Sequence, residues 1–414
     1  LRIGIAPLTD VAGGGAYQYG QTMLSVLAEL RDEREDEFVV LADGLRAGDP
    51  LLGGEEWDVA PLTPQPLRRR ALRAAKRVVP LRFRYRWSER HGRGEAGAPS
   101  RRPDVRAWHE SLGVGLVLYP FTSQLSFEAG TPYVLAVHDL QHRIHPELPE
   151  FGGGELAHRE YLFGNGIREA TVVLVDSETG KEDVLEFYGD AIESDRVAVL
   201  PFLPGTPTAV TQEDRERVRR EHRLPERYLF YPAQLWPHKN HRRIVEALAQ
   251  IDGAELVLVG SALGEVRERN RAELLARARE LGVEGRIHQL GYVPAEDMAA
   301  LYSEAVALVM PTFFGPTNIP ILEAWALGCP VITSDIRGVR EQAGDAALLV
   351  DPESVEAIAD AIRRLWTDEE LRADLARRGR ERLGLYTRED FSRRLDSVLD
   401  QATELVRARE PAHA

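Results

Sequence analysis

The feature that most constrains this 414-residue chain is a run of short apolar stretches that alternate with helix-length amphipathic stretches for most of its length. Strands buried on both faces read as continuous apolar runs, and a parallel neighbour is reached only through a crossover connection. The pattern therefore predicts an α/β fold. In the first half the predicted strands are Arg2–Pro7, Phe38–Ala42, Gly115–Pro120, Tyr133–Val137, Thr171–Asp176 and Val197–Leu200. In the second half they are Tyr228–Tyr231, Glu255–Gly260, Arg286–Leu290, Ala307–Met310, Val331–Ser334 and Ala347–Val350. Between the sets lies PFLPGTPTAV, where Pro201, Pro204, Gly205 and Pro207 break regular structure. A linker there predicts two parallel-sheet domains, residues 1–205 and 206–385, in keeping with the size at which one core divides into two. After Gly384 a helix is expected from Arg388 to about Arg407, with Phe391, Leu395, Val398 and Leu399 on one face.

Composition narrows the partners. A net charge of −14 argues against general nucleic-acid binding, which needs a basic footprint to displace counterions. The charge is uneven, however. From Arg68 to Arg102 thirteen arginines and lysines face only Glu89 and Glu95, with Leu81, Phe83, Tyr85 and Trp87 among them. Such a segment suits peripheral contact with an anionic membrane or a phosphorylated acceptor, or is a solvated insertion. No run reaches the ~20 apolar residues that span a bilayer, and the opening LRIGIAPL reads as a strand, so a cytoplasmic protein is expected. The single cysteine, Cys329, allows no intrachain disulfide and reads as a core thiol.

Ligands of open parallel sheets bind beyond the carboxyl ends of the strands, where loops feed helix N-termini. Two segments have that place. In TFFGPTNIPILEAWALGCPVITSD, residues 312–335, Gly315, Pro316, Thr317 and Asn318 form a tight loop before a helix over Ile319–Leu327. Pro320 near its first turn is a helix-start signal, and backbone N–H groups there can cradle a diphosphate. Glu323, one turn on, is placed to accept ribose hydroxyls. An ordinary turn with a surface glutamate would read the same way. In YPAQLWPHKNHRRIVEAL, residues 231–248, Lys239 stands near a helix start and Gln234 shares its loop. Lysine occurs only at positions 76, 181 and 239 in this arginine-rich chain, so its use at Lys239 stands out.

These two blocks, YPAQLWPHKNH and FFGPTNIPILEAWALGCPVITSD, look like the donor-binding motifs of glycosyltransferase family 4, whose members are retaining enzymes of the GT-B fold. The resemblance covers most of residues 225–385 and extends more weakly over the first half. It implies two Rossmann-like domains facing across a cleft, with the acceptor on the first and the nucleotide-sugar donor on the second. By it Lys239 contacts the diphosphate, Glu323 the ribose, the backbone around Asn318 and Ile319 the phosphates or sugar, and Tyr292 and Val293 border the base. The C-terminal helix would pack back on the first domain.

Two departures matter. The family's Glu-x7-Glu pattern would put its first glutamate where this chain has Gly315, so that contact is absent or supplied by Thr317 and Asn318. Many members have arginine where this chain has Gln234. Sequences with FGPTNIP in place of the first glutamate look like mannosyltransferases of surface-polysaccharide assembly, which favours mannose as the sugar.

In the first half, Gly13, Gly14 and Gly15 follow the first strand and let backbone approach a phosphate or sugar. A structural turn, or a dinucleotide site with Asp43 on the ribose, would use the same glycines, but Gly-Gly-Gly-Ala-Tyr-Gln lacks the third fingerprint glycine. His138 and Asp139 end a strand. The resemblance gives such a histidine a contact with acceptor or donor sugar, so the expected catalytic residues are His138, Lys239 and Glu323. His142 and His145 follow, but a chain leaving a strand into His-Pro gathers no metal-binding face. No apolar run precedes an Asp-x-Asp. The expectation is metal-free, cofactor-free transfer of a hexose from a nucleotide-diphosphate sugar to a glycan, lipid-linked or small-molecule acceptor. An epimerase, a phosphorylase or a silent sugar-nucleotide-binding subunit are the alternatives.

Overall fold

The computed structural model describes residues 1–9, 14–52, 56–64, 99–205 and 209–409. Gly13 and positions 68–98 of the basic segment lie outside them. The chain divides into two compact units. One comprises Leu1–Pro146, Gly153–Leu203 and Arg388–Ala414, the other Glu147–Gly152 and Pro204–Thr387.

The first unit is built on a seven-stranded parallel sheet of order β3-β2-β1-β4-β5-β6-β7, with β1 Arg2–Ile5, β2 Glu37–Leu41, β3 Val59–Ala60, β4 Val114–Tyr119, β5 Tyr133–Ala136, β6 Val172–Val175 and β7 Val197–Val199. The central strands are apolar on both faces and fully covered, as residues Ile3, Ile5, Leu116, Leu118, Val134 and Val173 illustrate. The helix Arg388–Arg409 belongs to this unit and buries Phe391, Leu395, Val398 and Leu399, the face read from its periodicity. Arg34 grips it by donating to Asp396 and to Asp400, the latter at 2.9 Å, and Arg388 pairs with Glu29 at 2.7 Å. Arg101 and Arg102, the described end of the basic segment, are engaged with Glu169 at 2.6 Å and Asp104 at 2.7 Å.

The second unit holds a six-stranded parallel sheet of order β10-β9-β8-β11-β12-β13, with β8 Leu229–Pro232, β9 Leu256–Val259, β10 Ile287–Gly291, β11 Ala307–Met310, β12 Val331–Ser334 and β13 Leu348–Val350. Every apolar run named above forms a strand, with no end moved by more than two residues. The strand the periodicity missed is β3, a two-residue edge strand too short to leave a pattern. Among the described residues, no helix is long and apolar enough to cross a membrane.

Both sheets reverse their strand order once, at β1/β4 and at β8/β11. Helices run off opposite faces on either side of such a switch point, which opens a crevice at the carboxyl ends of the two strands. The segments that leave β8 and β11 are those of Gln234–Lys239 and Thr312–Asn318.

Candidate functional site

At the end of β8 the chain passes through a 3-10 turn, Pro237–Lys239, into the helix His241–Leu248, so Lys239 stands two residues before the helix rather than on it. Asn240 makes the corner at φ 59°, a left-handed conformation that asparagine tolerates better than most residues. Its buried side chain repays the strain by donating to Pro311 O at 2.8 Å and Pro352 O at 2.7 Å, the ends of two neighbouring strand loops. The Lys239 carbonyl accepts from Tyr231 Oη at 2.9 Å, and the His238 carbonyl accepts from Phe313 N at 2.8 Å. The lysine loop and the loop after β11 are therefore one hydrogen-bonded structure.

That second loop is set by α-helix Arg337–Ala343. The buried Gln342 side chain accepts from Asn318 N at 2.9 Å and donates to Asn318 O at 3.0 Å, mimicking a backbone pair. Gly338 lets the helix close on Pro316, since a Cβ there would lie 2.5 Å from Pro316 Cα and O. This corrects one expectation in part. The Asn318 N–H is spent on Gln342 and is not offered to a phosphate. Pro320 has no N–H and that of Ile321 returns to Asn318 O at 3.2 Å, which leaves Ile319 as the donor at the start of helix Ile319–Ala326. Gly315 adopts φ 140°, which L side chains rarely reach, and the Asn318 amide lies 2.9 Å from where its Cβ would be. A glutamate at this position would strain the backbone and displace the Asn318 amide.

Glu323 accepts from Tyr302 Oη at 2.8 Å, and that phenol is held un-ionised by burial and by the carboxylate beside it. The bond fixes one carboxylate oxygen. If Glu323 accepts ribose hydroxyls, Glu323→Ala lowers nucleotide affinity about tenfold and affects a 2′-deoxy nucleotide less. Calorimetric titration of both checks this, and equal losses would assign the glutamate a packing role. Tyr292 is 76% exposed at the end of β10 while Val293 is buried, so the tyrosine ring alone of the two presents a surface. Thr317 is partly exposed in its loop. The Gln234 amide oxygen accepts from Trp236 Nε1 at 3.1 Å and from Arg267.

A contact invisible in the sequence comes from Glu147–Gly152, which precedes the linker but belongs to the second unit. Glu150 Oε1 lies 2.7 Å from His238 Nδ1, next to Lys239. Burial pushes the Glu150 carboxyl up, but the hydrogen bond and charge of His238, with backbone donors, outweigh it and hold it below the usual carboxylate range. A carboxylate whose folded pKa is depressed stabilises the fold above its unfolded pKa, and that stability is lost as pH falls through the folded value. Glu150→Gln is thus expected to cost about 2 kcal/mol at pH 7, with the difference shrinking as pH drops below about 4. Urea titrations at the two pH values measure it.

In the first unit Gly14, at φ 59°, caps the helix Gly15–Leu30, and both glycines are exposed. His138 Nε2 lies 2.8 Å from Pro120 O, an acceptor only, so Nε2 carries the proton and Nδ1 is left as an acceptor. Burial lowers its pKa against the opposing pull of Pro120 O and Asp139, so the ring is neutral at pH 7. Tyr19 and Phe202 pack it at centroid distances of 4.9 and 5.4 Å. Asp139 caps the turn at Gln141 N, at 3.1 Å, and pairs with Arg159 at 3.2 Å. His142 is buried against Phe163 at 4.8 Å, and no group of three metal-binding side chains forms among the described residues.

Two Rossmann-like parallel sheets, each reversing its strand order once, are the architecture of the GT-B class of α/β protein, and comparison with known structures agrees. The Anabaena Alr3699/HepE structure in complex with UDP and glucose matches over 97% of this chain and 99% of that one, with a TM-score of 0.70 at 19% identity. WaaG, a glycosyltransferase involved in lipopolysaccharide biosynthesis, matches over 95% and 98% with a TM-score of 0.62 at 16% identity. Within this fold, residues 212–382 match the model of the family described as Glycosyl transferases group 1. In sequence the chain is 29% identical over 216 residues to O-antigen chain mannosyltransferase B of Escherichia coli, covering 51% of this chain and 55% of that protein. It is 27% identical over 259 residues to D-inositol 3-phosphate glycosyltransferase of Corynebacterium glutamicum, covering 58% and 59%. The chain thus spans little more than half the length of these curated relatives.

Proposed function

We propose that this protein is a retaining, metal-independent hexosyltransferase that moves a sugar, mannose by preference, from a nucleotide-diphosphate donor to a glycan, lipid-linked or small-molecule acceptor. The observation that carries the reading is the joining of the Lys239 loop and the Gly315–Asn318 loop at the β8/β11 switch point, with Glu323 one turn along the helix that follows. A cation, a helix start and a ribose-binding carboxylate are what a nucleoside diphosphate needs. The mannosyltransferase among the relatives supports the choice of sugar.

Departure of the nucleoside diphosphate is the costly step. Lys239 and the donor at Ile319 meet the charge that develops on its phosphates, in place of a divalent ion. In the first unit, neutral His138 offers Nδ1 as a hydrogen-bond acceptor to a sugar or acceptor hydroxyl. The donor is assigned to the second unit and the acceptor to the first. The cytoplasm is the expected compartment, with Arg68–Arg102 the place for contact with an anionic membrane. Transfer to acceptor from a panel of nucleotide sugars, repeated after exhaustive chelation, tests the reading. Full activity with EDTA and an unchanged anomeric configuration are expected. Strict dependence on a divalent ion overturns the metal-free route, and release of free sugar without transfer overturns the transferase.

A further inference from the structure

On the flank of its sheet the first unit carries an open pocket of about 450 Å³, lined by Arg143, Glu160, Asn165, Arg168, Tyr188 and Asp190 among others. That volume suits a small ligand. Most of the lining comes from the later turns of the helices Glu155–Glu169 and Glu178–Tyr188, which lead into β6 and β7. A helix that joins parallel strands runs back along the sheet, so those turns lie toward the amino ends of the strands. His138 and Gly14 sit at the carboxyl ends, and the pocket is separate from them.

Gly164 lies on this pocket inside a helix, where glycine is destabilising relative to alanine. Packing does not call for it, since a Cβ there would have Tyr188 Cε1 as its nearest neighbour outside the helix, an ordinary contact at 3.9 Å. Its missing side chain keeps the pocket open beside the tyrosine ring. Arg168 and Asp190 are exposed on the same pocket with opposite charges, yet among the described residues neither has an ion pair or a side-chain hydrogen bond. The Asn165 amide donates to Tyr161 O at 2.8 Å, which leaves its oxygen as an acceptor. The remaining wall is held in place. Arg143 donates to Glu160 and lies 5.3 Å from the Tyr188 ring centroid, and the Tyr188 hydroxyl is 3.4 Å from Nε2 of buried His142.

We propose that this pocket binds a neutral sugar residue, with Arg168 donating to one hydroxyl and Asp190 and Asn165 accepting from others. A sugar hydroxyl both donates and accepts, so neighbouring hydroxyls satisfy a donor-only guanidinium and an acceptor-only carboxylate together. Two guanidinium groups, Arg143 and Arg168, balance two carboxylates, Glu160 and Asp190, so the lining offers an anion no net attraction. Phe187 and Tyr188 present apolar surface to the C–H faces of a sugar ring. That the sugar belongs to a glycan acceptor rests on the reading above; the binding itself does not.

Ligand-observed NMR titrations on the full chain test it, with the methyl α-glycosides of mannose, glucose, galactose and N-acetylglucosamine, with mannotriose, and with inorganic phosphate. They are repeated on Arg168→Met, Asp190→Asn, Gly164→Ala and His138→Ala, with Tm for each. Arg168→Met and Asp190→Asn are each expected to weaken the best-bound sugar about tenfold, the loss of one hydrogen bond to a charged group. Gly164→Ala should keep or raise Tm, because alanine favours the helix, and still weaken the sugar by narrowing the pocket. His138→Ala should leave the affinity within about twofold, because the sites are separate. No bound sugar, a sugar that the pocket variants leave unaffected, or phosphate bound in preference to every sugar overturns the proposal. If transfer proceeds while the pocket variants bind sugar as the unsubstituted chain does, the transferase reading stands and this one falls. If sugar binding responds to the pocket variants but no donor is transferred, this site stands and the transferase reading falls.

Discussion

Lys239→Ala is expected to lower nucleoside-diphosphate affinity by about ten- to a hundredfold and turnover by about a hundredfold or more. A hydrogen bond to a charged group contributes roughly 1.5–3 kcal/mol, which sets the loss in affinity. Turnover suffers further, because phosphate charge grows as the glycosidic bond breaks and interactions stronger in the transition state fall on kcat. The fold should survive. The turn is held by side chains that donate to backbone carbonyls, Tyr231 Oη to Lys239 O and Asn240 Nδ2 to Pro311 O and Pro352 O, none of which uses the ammonium. Steady-state kinetics with a Tm control tests this, and an unchanged kcat/KM in a folded variant removes Lys239 from the diphosphate. Lys239→Arg should recover part of the loss.

The second large effect is predicted at a residue remote from any ligand-contact role. Gly338→Ala is expected to reduce turnover by about a hundredfold. Its new methyl would sit 2.5 Å from the Cα and O of Pro316, both backbone-anchored atoms, so the Gly315–Asn318 loop must move by nearly an ångström. Displacements of that size in a substrate-positioning element cost about a hundredfold in rate, while the overpacking itself costs about 1–3 kcal/mol of stability. Gly285→Ala is the matched control, since a methyl there meets nothing within 4 Å. If both alanine variants retain full turnover, the loop does not position the donor.

Much of the fold was legible because buried parallel strands advertise themselves. Ile3, Leu118, Val173, Val257 and Leu308 sit in apolar runs with no polar face, and the layers packed on both faces of the sheets hide them completely. The edge strand Val59–Ala60 left no such trace. At the site the sequence pointed to Lys239, Gly315, Asn318 and Glu323 through loop chemistry and family resemblance, since glycine, proline and a helix start are local signals. Glu150, Arg267, Gln342 and Gly338 carried none. A glutamate before Phe151 or an arginine in the charged run Glu265–Arg269 is indistinguishable from a surface residue until a partner far along the chain is in place.

What the amino-acid sequence determined by itself was therefore the alternation of strands and helices, the break between two sheets, and the residue types of the loops that follow β8 and β11. These follow from local periodicity and backbone chemistry. Only the tertiary structure decided that the loops of β8 and β11 meet at a switch point and that Gln342 consumes the Asn318 amide. It also decided that the Gln234 side chain pairs with Arg267. Strand order and long-range pairing of buried polar groups depend on how distant segments pack, and no local signal encodes them.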